Sequence, residues 1–187
     1  MRKGACVAMK YFVAADLHGS AYYCRMLLEA YDREKADAIL LLGDILYHGP
    51  RNDLPREYDT KAVVCMLNPL ARHITCVRGN CDAEVDQMVL DFPILSPQIS
   101  LQLFGHSFLL THGHHTNIDC LPQYRPEYLL YGHTHVPLNA VRQGVRCLNP
   151  GSVSIPKQGS HHGYLTITRE GIDWLDLDGA CKDHLDW

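Results

Sequence analysis

Five short apolar runs in this chain each give way at once to a small cluster of glycine, acidic, amide or imidazole residues. That pattern limits the available folds more than any other feature. Residues 11–15 (YFVAA) lead into Asp16-Leu17-His18, residues 38–42 (AILLL) into Gly43-Asp44, and residues 74–77 (ITCV) into Arg78-Gly79-Asn80-Cys81-Asp82. Residues 107–110 (SFLL) lead into Thr111-His112-Gly113-His114, and residues 128–131 (YLLY) into Gly132-His133-Thr134-His135. Short apolar runs bounded by turn residues read as buried strands. Helix signals lie between the first three: Ser20 as N-cap ahead of Tyr22, Met26, Leu27 and Ala30, and then residues 60–67 after the Pro- and Gly-rich loop 48–59. Alternating strands and helices predict a largely parallel sheet with helices on its faces. The loops after strand C-termini gather on one rim of such a sheet, so five polar clusters distant in sequence are expected to meet.

The second half has a different texture. Residues 99–103 and 107–110 flank a turn near Gly105, residues 138–141 and 145–148 flank Arg142-Gln143-Gly144, and residues 164–168 and 172–177 flank Arg169-Glu170-Gly171. These are hairpin and meander signals, predicting antiparallel strands and a second sheet packed on the first. A short helix is expected over residues 84–90.

The chain of 187 residues suits one domain, with residues 1–8 as a loose extension ahead of the first strand. Hydrophobic residues at 47% and charged residues at 20% exclude a disordered chain. The formal charge of -4 offers no basic face for long nucleic acid but leaves room for a small nucleotide-derived substrate. No apolar run approaches the ~20 residues that span a bilayer. The basic opening MRK resembles the start of a signal peptide, but Lys10 breaks the apolar stretch behind it. Eight cysteines form no CxxC pair and no framework spacing, so free thiols in a reducing cytoplasm are expected. A monomer and a homo-oligomer both fit the sequence.

Seven residues in the five clusters are metal-ligand types: Asp16, His18, Asp44, Asn80, His112, His133 and His135. Seven donors exceed the needs of one ion. Their mixture of carboxylate, amide and imidazole suits two divalent cations of the Mn²⁺, Fe²⁺, Zn²⁺ or Co²⁺ kind rather than Mg²⁺. The absence of cysteine from the set argues against a structural zinc site. Two like-charged ions ~3.5–4 Å apart need a shared carboxylate, and Asp44, alone after its strand, is the natural bridge. His133 and His135 could continue a strand, but Gly132 and Pro137 end it, so both rings can turn to one point. A solvated pair of loop histidines is the plainer reading of that pentapeptide alone.

Taken in order, Asp-x-His, Gly-Asp, Gly-Asn-x-Asp, His-Gly-His and Gly-His-Thr-His resemble the calcineurin-like metallophosphoesterase superfamily. The stretches DLHGS, LLGDILYHGPRN, VRGNCDAEVDQM, THGH, YGHTH and LNPGSVSIPK are similar to its small bacterial phosphodiesterases of the YfcE type. The resemblance runs from about Lys10 to Tyr164. It implies a four-layer α/β fold, two mixed β-sheets flanked by helices. It also implies one metal on Asp16, His18 and His135, a second on Asn80, His112 and His133, and Asp44 shared between them. Two such cations bring a bridging water toward a pKa of ~7, giving a hydroxide that attacks the phosphorus of a small phosphodiester.

One position departs from many relatives, which carry His after Gly-Asn where this chain has Cys81. That residue is a filler behind the ligands or a participant, and a thiol of pKa ~8.5 is a poor leaving-group acid. His48, His114 or solvent could supply the proton instead. Asp82 either supports a ligand imidazole from behind or caps the 84–90 helix. Arg51-Asn52 reads as solvated loop before substrate contact, and Asn149-Pro150-Gly151-Ser152 as a turn that shapes the rim. Two other functions compete. One is a non-catalytic interaction scaffold like the retromer subunit Vps29, which the complete ligand set disfavours; the other is a nuclease, which the acidic balance disfavours.

Overall fold

The computed structural model describes residues 9–187, and the expectations placed on residues 1–8, the loose extension and Cys6 included, lie outside that range. β1 (Tyr11–Ala14), β2 (Ala38–Leu41) and β3 (Ile74–Cys76) pair in parallel, Tyr11 opposite Ala38 and Ile39 opposite Ile74. Alternation of side chains splits each strand between two cores. Phe12, Ala14, Ile39, Leu41, Ile74 and Cys76 face one, while Val13, Ala15, Leu40, Leu42 and Val77 face the other.

The first core is closed by α1 (Ala21–Glu34) and α2 (Thr60–Leu67). Ser20 Oγ accepts from the Tyr23 N–H at 3.2 Å to start α1, and Lys35 ends it in the left-handed conformation at φ 51°. Cys24, Leu27 and Tyr31 then fall on one helical face against the sheet. The expected helix over 84–90 shortens to α3 (Glu84–Gln87). The Gln87 side chain is the reason: it donates to the Leu90 and Phe92 carbonyls at 3.1 and 3.0 Å and accepts from Ile94 N–H at 2.8 Å, drawing the following chain away from the helix.

The second sheet contains β4 (Gln98–Leu103), β5 (His106–Thr111), β6 (Tyr128–Leu130), β7 (Pro137–Arg142) and β8 (Val145–Pro150), in the order β4-β5-β6-β8-β7. The hairpins β4/β5 and β7/β8 are antiparallel as expected, but β5, β6 and β8 run parallel. β9 (Gly163–Ile167) and β10 (Gly171–Asp176) do form a hairpin, yet it joins the first sheet beside β1 rather than the second. Aromatic packing across that junction accounts for the choice. Tyr164 stacks on Phe12 with ring centroids 4.3 Å apart, and its hydroxyl donates to Glu34 at 2.9 Å. β11 (Cys181–Asp186), a charged edge strand with no counterpart in the sequence reading, completes the order β11-β10-β9-β1-β2-β3.

The two mixed sheets face each other across a core that includes Val13, Leu40, Phe108, Leu110, Leu130, Leu148, Leu165 and Trp174. Burying a side chain such as Phe108 there contributes about 1.5–3 kcal/mol. Leu109, Leu129, Tyr131 and Cys147 point the other way, where Ile118 and Leu121 from the irregular segment 113–127 cover them. The layers therefore run helices, sheet, sheet and covering segment. The parallel strands β1, β2, β3, β5 and β6 all release their C-terminal loops toward one rim.

Candidate active site

All seven expected ligand residues lie in those rim loops, and their donor atoms meet. Around one point, Asp16 Oδ1 is 3.4 Å from His135 Nε2 and 3.8 Å from His18 Nε2, with the two imidazole nitrogens 3.3 Å apart. Around a second, His112 Nε2 lies 3.0 Å from Asn80 Oδ1, 3.2 Å from His133 Nδ1 and 3.3 Å from Asp44 Oδ2. Asp44 Oδ2 is also 3.7 Å from His18 Nε2, so its carboxylate borders both groups. Asp16, His18, Asp44, His112 and His135 are at most 3% exposed.

The main chain fixes which ring nitrogens face inward. His18, His112 and His135 each present Nδ1 to a backbone carbonyl, of Tyr47 at 2.8 Å, Leu42 at 2.6 Å and Ile155 at 2.7 Å. Donation from Nδ1–H leaves the Nε2 atoms of His18 and His135 as lone pairs aimed at Asp16 Oδ1 and at each other, while the Nε2 of His112 lies against the Asn80 and Asp44 oxygens at 3.0 and 3.3 Å. Burial pushes the His18 ring below its ordinary pKa and so keeps it neutral. For His112 burial acts the same way, but Asp44 and Asp16 outweigh it and raise the ring to about 9. Asp16 Oδ1 is buried with no hydrogen-bond partner at all. Lone pairs converging on an orphaned buried carboxylate oxygen make an arrangement that fits cations, since without them the desolvation of that oxygen is uncompensated.

Holding these atoms together strains the backbone. Asp16, His18, Asp44, His133 and His135 have φ of 58°, 50°, 57°, 65° and 60°, half of the non-glycine residues found in the left-handed region among those described. Each such residue costs about 1–3 kcal/mol, and clusters of them mark functional sites. Close approach does the rest: a Cβ on Gly79 would fall 2.1 Å from Asp44 Oδ1, and one on Gly132 would fall 2.8 Å from Asp16 Oδ2. The two sheets are stitched at the site by His133 N–H donating to Asp16 Oδ2 at 3.0 Å.

Asp82 fills neither role expected of it. It touches no imidazole, and Ala83, not Asp82, precedes α3, with Asp86 accepting from the Ala83 N–H at 2.9 Å. Instead its buried carboxylate accepts from the N–H groups of Asp44 at 2.9 Å, Ile45 at 2.9 Å and Gly79 at 2.7 Å, clasping the loops after β2 and β3 together. Burial outweighs these bonds and holds its carboxyl above the usual range. Asn149 works as the expected rim turn: its Nδ2 donates to the Gly132 carbonyl at 2.7 Å, and Ser152 and Ser154 hydroxyls donate to the Asp16 carbonyl at 2.8 and 3.0 Å. Ser152 belongs to that expected turn, whereas nothing in the sequence pattern gave Ser154 a role.

A cavity of about 410 Å³ opens over the donors, lined by Asp44, Asn80, Cys81, His133 and His135, with Arg51, Asn52 and Lys157 among its other walls. Arg51 and Lys157 are exposed and form no ion pair among the described residues. Lys157 was missed by the sequence reading, its one signal being its place at the end of LNPGSVSIPK. Cys81 is half-buried, and burial together with the Asp44 charge pushes its thiol up to about 12. His114 does not border this cavity. It opens with Arg78, His115 and Gln98 onto a separate hollow behind Asn80 and His112, where burial and the neighbouring imidazoles lower it to about 4. His48 is held between Tyr47 and Tyr58, also outside the cavity wall.

The Calcineurin-like phosphoesterase superfamily domain matches residues 9–171. Phosphodiesterase YfcE of Escherichia coli K12 is 44% identical over 171 residues, covering 91% of this chain and 93% of that protein. A solved structure of E. coli YfcE, characterised as a phosphoesterase, superposes with a TM-score of 0.91 at 40% identity, covering 95% of this chain and 99% of that one. Vps29 from Entamoeba histolytica, solved in complex with Zn²⁺, shares the fold at 20% identity with a TM-score of 0.63, covering 95% and 99%. With its rim of strand-end donors and this extent of likeness, the chain belongs to the calcineurin-like phosphoesterase superfamily.

Proposed function

We propose that this chain is a metal-dependent phosphodiesterase of small diesters, working with two divalent cations of which Mn²⁺ is the first candidate. The observation that carries the reading is the pair of donor groups sharing Asp44 around the unpartnered Asp16 Oδ1. Asp16, His18 and His135 would hold one ion, Asn80, His112 and His133 the other, and Asp44 both. Ions bound there supply an activated water and neutralise phosphoryl oxygens.

The chain's own contributions follow from geometry. Main-chain carbonyls lock three imidazoles with Nε2 inward, so little reorganisation accompanies binding. Asn80 Nδ2 donates to Cys81 Sγ at 3.2 Å, which turns Oδ1 toward His112. Arg51 and Lys157 reach the cavity from opposite loops and are placed to meet the outer oxygens of a phosphoryl group. None of the three side chains considered as proton donor is suited to it: the Cys81 thiol sits near 12, His114, near 4, faces the other hollow, and His48 lies outside the cavity wall. The departing alcohol therefore takes its proton from solvent, and diesters with good leaving groups are favoured. With no side-chain nucleophile required, no phosphoenzyme forms.

Two cationic side chains at the mouth make too small a footprint for tracking long nucleic acid, and the intact donor set argues against a purely structural scaffold. The described cysteines are all free thiols, Cys65, Cys120 and Cys181 among them exposed, which supports a reducing cytoplasm. No helix among the described residues is long and apolar enough to cross a membrane. The test is metal analysis joined to a hydrolysis screen of mono- and diesters with Asp44→Asn as control. Mn²⁺-dependent diester turnover is expected, lowered more than about 100-fold in the variant because a shared ligand is lost. Full turnover in Asp44→Asn would remove the bridge.

A further inference from the structure

Beside the metal-facing cavity lies a larger groove, about 750 Å³, between α2, α3 and the loop ahead of α2. Its walls include Leu46, Tyr47, Tyr58, Val64, Val85 and Val89 and present mainly apolar surface, with Thr60, Lys61 and Asp86 also among the lining. Tyr47, Val85 and Val89 are 43%, 65% and 49% exposed, and Met88, on the turn that ends α3, is 85% exposed. Three of the eight large apolar side chains left exposed among the described residues, Tyr47, Val85 and Val89, line this groove, and Met88 precedes Val89 in the chain. Concentrated exposed apolar surface of this kind marks a binding face.

What the face binds is indicated by its junction with the cavity. Cys81 lines both hollows, and its main-chain N–H holds Asp44 Oδ1 at 2.8 Å, so the groove begins one residue from the shared carboxylate. Gly49 packs against Cys81 from the cavity side: a Cβ there would stand 3.0 Å from Cys81 Sγ. Tyr47, which walls the groove, is also tied to the site, since its carbonyl accepts from His18.

We propose that this groove is a subsite for a compact aromatic ester arm of the substrate, with the phosphoryl group in the adjoining cavity. The inference rests on the diesterase reading for the phosphoryl position. The volume is in the range of small-molecule sites, and the two tyrosine rings with three valines suit an aryl group. The Cys81 wall shared by the two hollows, which sets the groove directly beside the cavity, favours a substrate arm over a second copy of the chain.

Binding without turnover provides the test. Calorimetric titration of the Mn²⁺-loaded protein should find phenylphosphonate bound roughly 10- to 100-fold more tightly than methylphosphonate. The double substitution Val85→Asp, Val89→Asp, at exposed positions, should reduce that ratio below about threefold by placing charges on the apolar wall. Val141→Asp, exposed on β7 and away from the groove, should leave the ratio as it is. The same ratios should appear in kcat/KM for phenyl and methyl esters of p-nitrophenyl phosphate. Equal binding of the two phosphonates by the unaltered protein, or a ratio that survives the double substitution, overturns the proposal. A dimer that the double substitution splits, with no phosphonate preference, assigns the groove to a second copy and overturns it as well. A phenyl preference lost in the double variant, in a protein that hydrolyses no diester, upholds the groove and sinks only the diesterase reading.

Discussion

Asp16→Asn should stabilise the metal-free protein while weakening its response to metal. In the structure Asp16 Oδ2 already accepts from the His133 N–H at 3.0 Å, and an amide oxygen can keep that bond. Oδ1 is the orphan, 3.4 Å from His135 Nε2 and 3.8 Å from His18 Nε2, both lone pairs by virtue of their Nδ1 tethers. An Asn Nδ2 in its place donates toward those lone pairs and removes a buried negative charge. An unsatisfied buried acceptor costs about 1–3 kcal/mol, so the variant should gain about 1–2 kcal/mol in EDTA. For a domain of this size that is a rise in Tm of about 2–8 °C. Saturating Mn²⁺ reverses the order. A ligand at 100 times its Kd stabilises by about 2.7 kcal/mol, and the variant, short of one donor, should gain clearly less than the original chain. Urea unfolding at pH 8 in EDTA and in MnCl₂ measures both arms. If Asp16→Asn is the less stable protein in EDTA, the orphan has a partner in solution and the fit of the site to cations loses its main support. An equal gain from Mn²⁺ in both proteins would show that Asp16 is not a ligand.

Gly79→Ala puts a methyl 2.1 Å from Asp44 Oδ1 and 2.3 Å from its main-chain nitrogen, so it should destabilise by about 2–3 kcal/mol and cut Mn²⁺ affinity at least about tenfold, read by urea unfolding and metal titration. Asp82→Ala strips the acceptor from three buried N–H groups and should cost about 3–5 kcal/mol in the metal-free protein; a loss under about 1 kcal/mol would mean the clasp is idle. His184 on β11 faces Asp186 and Asp173, which raise its pKa above 6.5, so its contribution to stability is complete below pH 6.5 and is lost as pH rises through the folded value. Proton NMR should place its titration above that of an unfolded peptide, and Asp173→Asn should bring it back toward it.

The parts of this molecule that a reader of the sequence can see are those where chemistry restricts residue type. Imidazoles, carboxylates and an amide after five apolar runs have few other uses, so the rim and its seven donors were legible. Their supports were not, because the partners are main-chain atoms: the carbonyls of Leu42, Tyr47 and Ile155 that orient three rings carry no side-chain signature. Asp82 was visible as a polar residue near the site, but a clasp made to three N–H groups looks, in sequence, like a cap. Strand periodicity likewise identifies a strand without naming its neighbour, which is how β9 and β10 came to be expected in the wrong sheet. β11 lacks even that signal, since CKDHLD is exposed along nearly its whole length and edge strands are kept charged against aggregation.

The backbone at the rim reverses the usual local rule, and the reversal explains why the motifs have the spacing they do. Positions at φ near 60° ordinarily take glycine or asparagine, yet here they hold Asp16, His18, Asp44, His133 and His135. Three of the five adjoin a glycine: Gly19 follows His18, Gly43 precedes Asp44, and Gly132 precedes His133. In the left-handed conformation successive side chains need not alternate across a strand, so Asp16 with His18, and His133 with His135, can each bring two donors toward the same metal pair from a three-residue stretch. Under the proposed assignment His133 and His135 would then reach different ions. Cations bound as proposed would offset strain of about 1–3 kcal/mol per residue. Replacing His18 by glycine should therefore leave the fold in EDTA no worse than replacing it by alanine, while both lose the metal-dependent gain; alanine proving the more stable of the two by over 1 kcal/mol would contradict a left-handed backbone at that position.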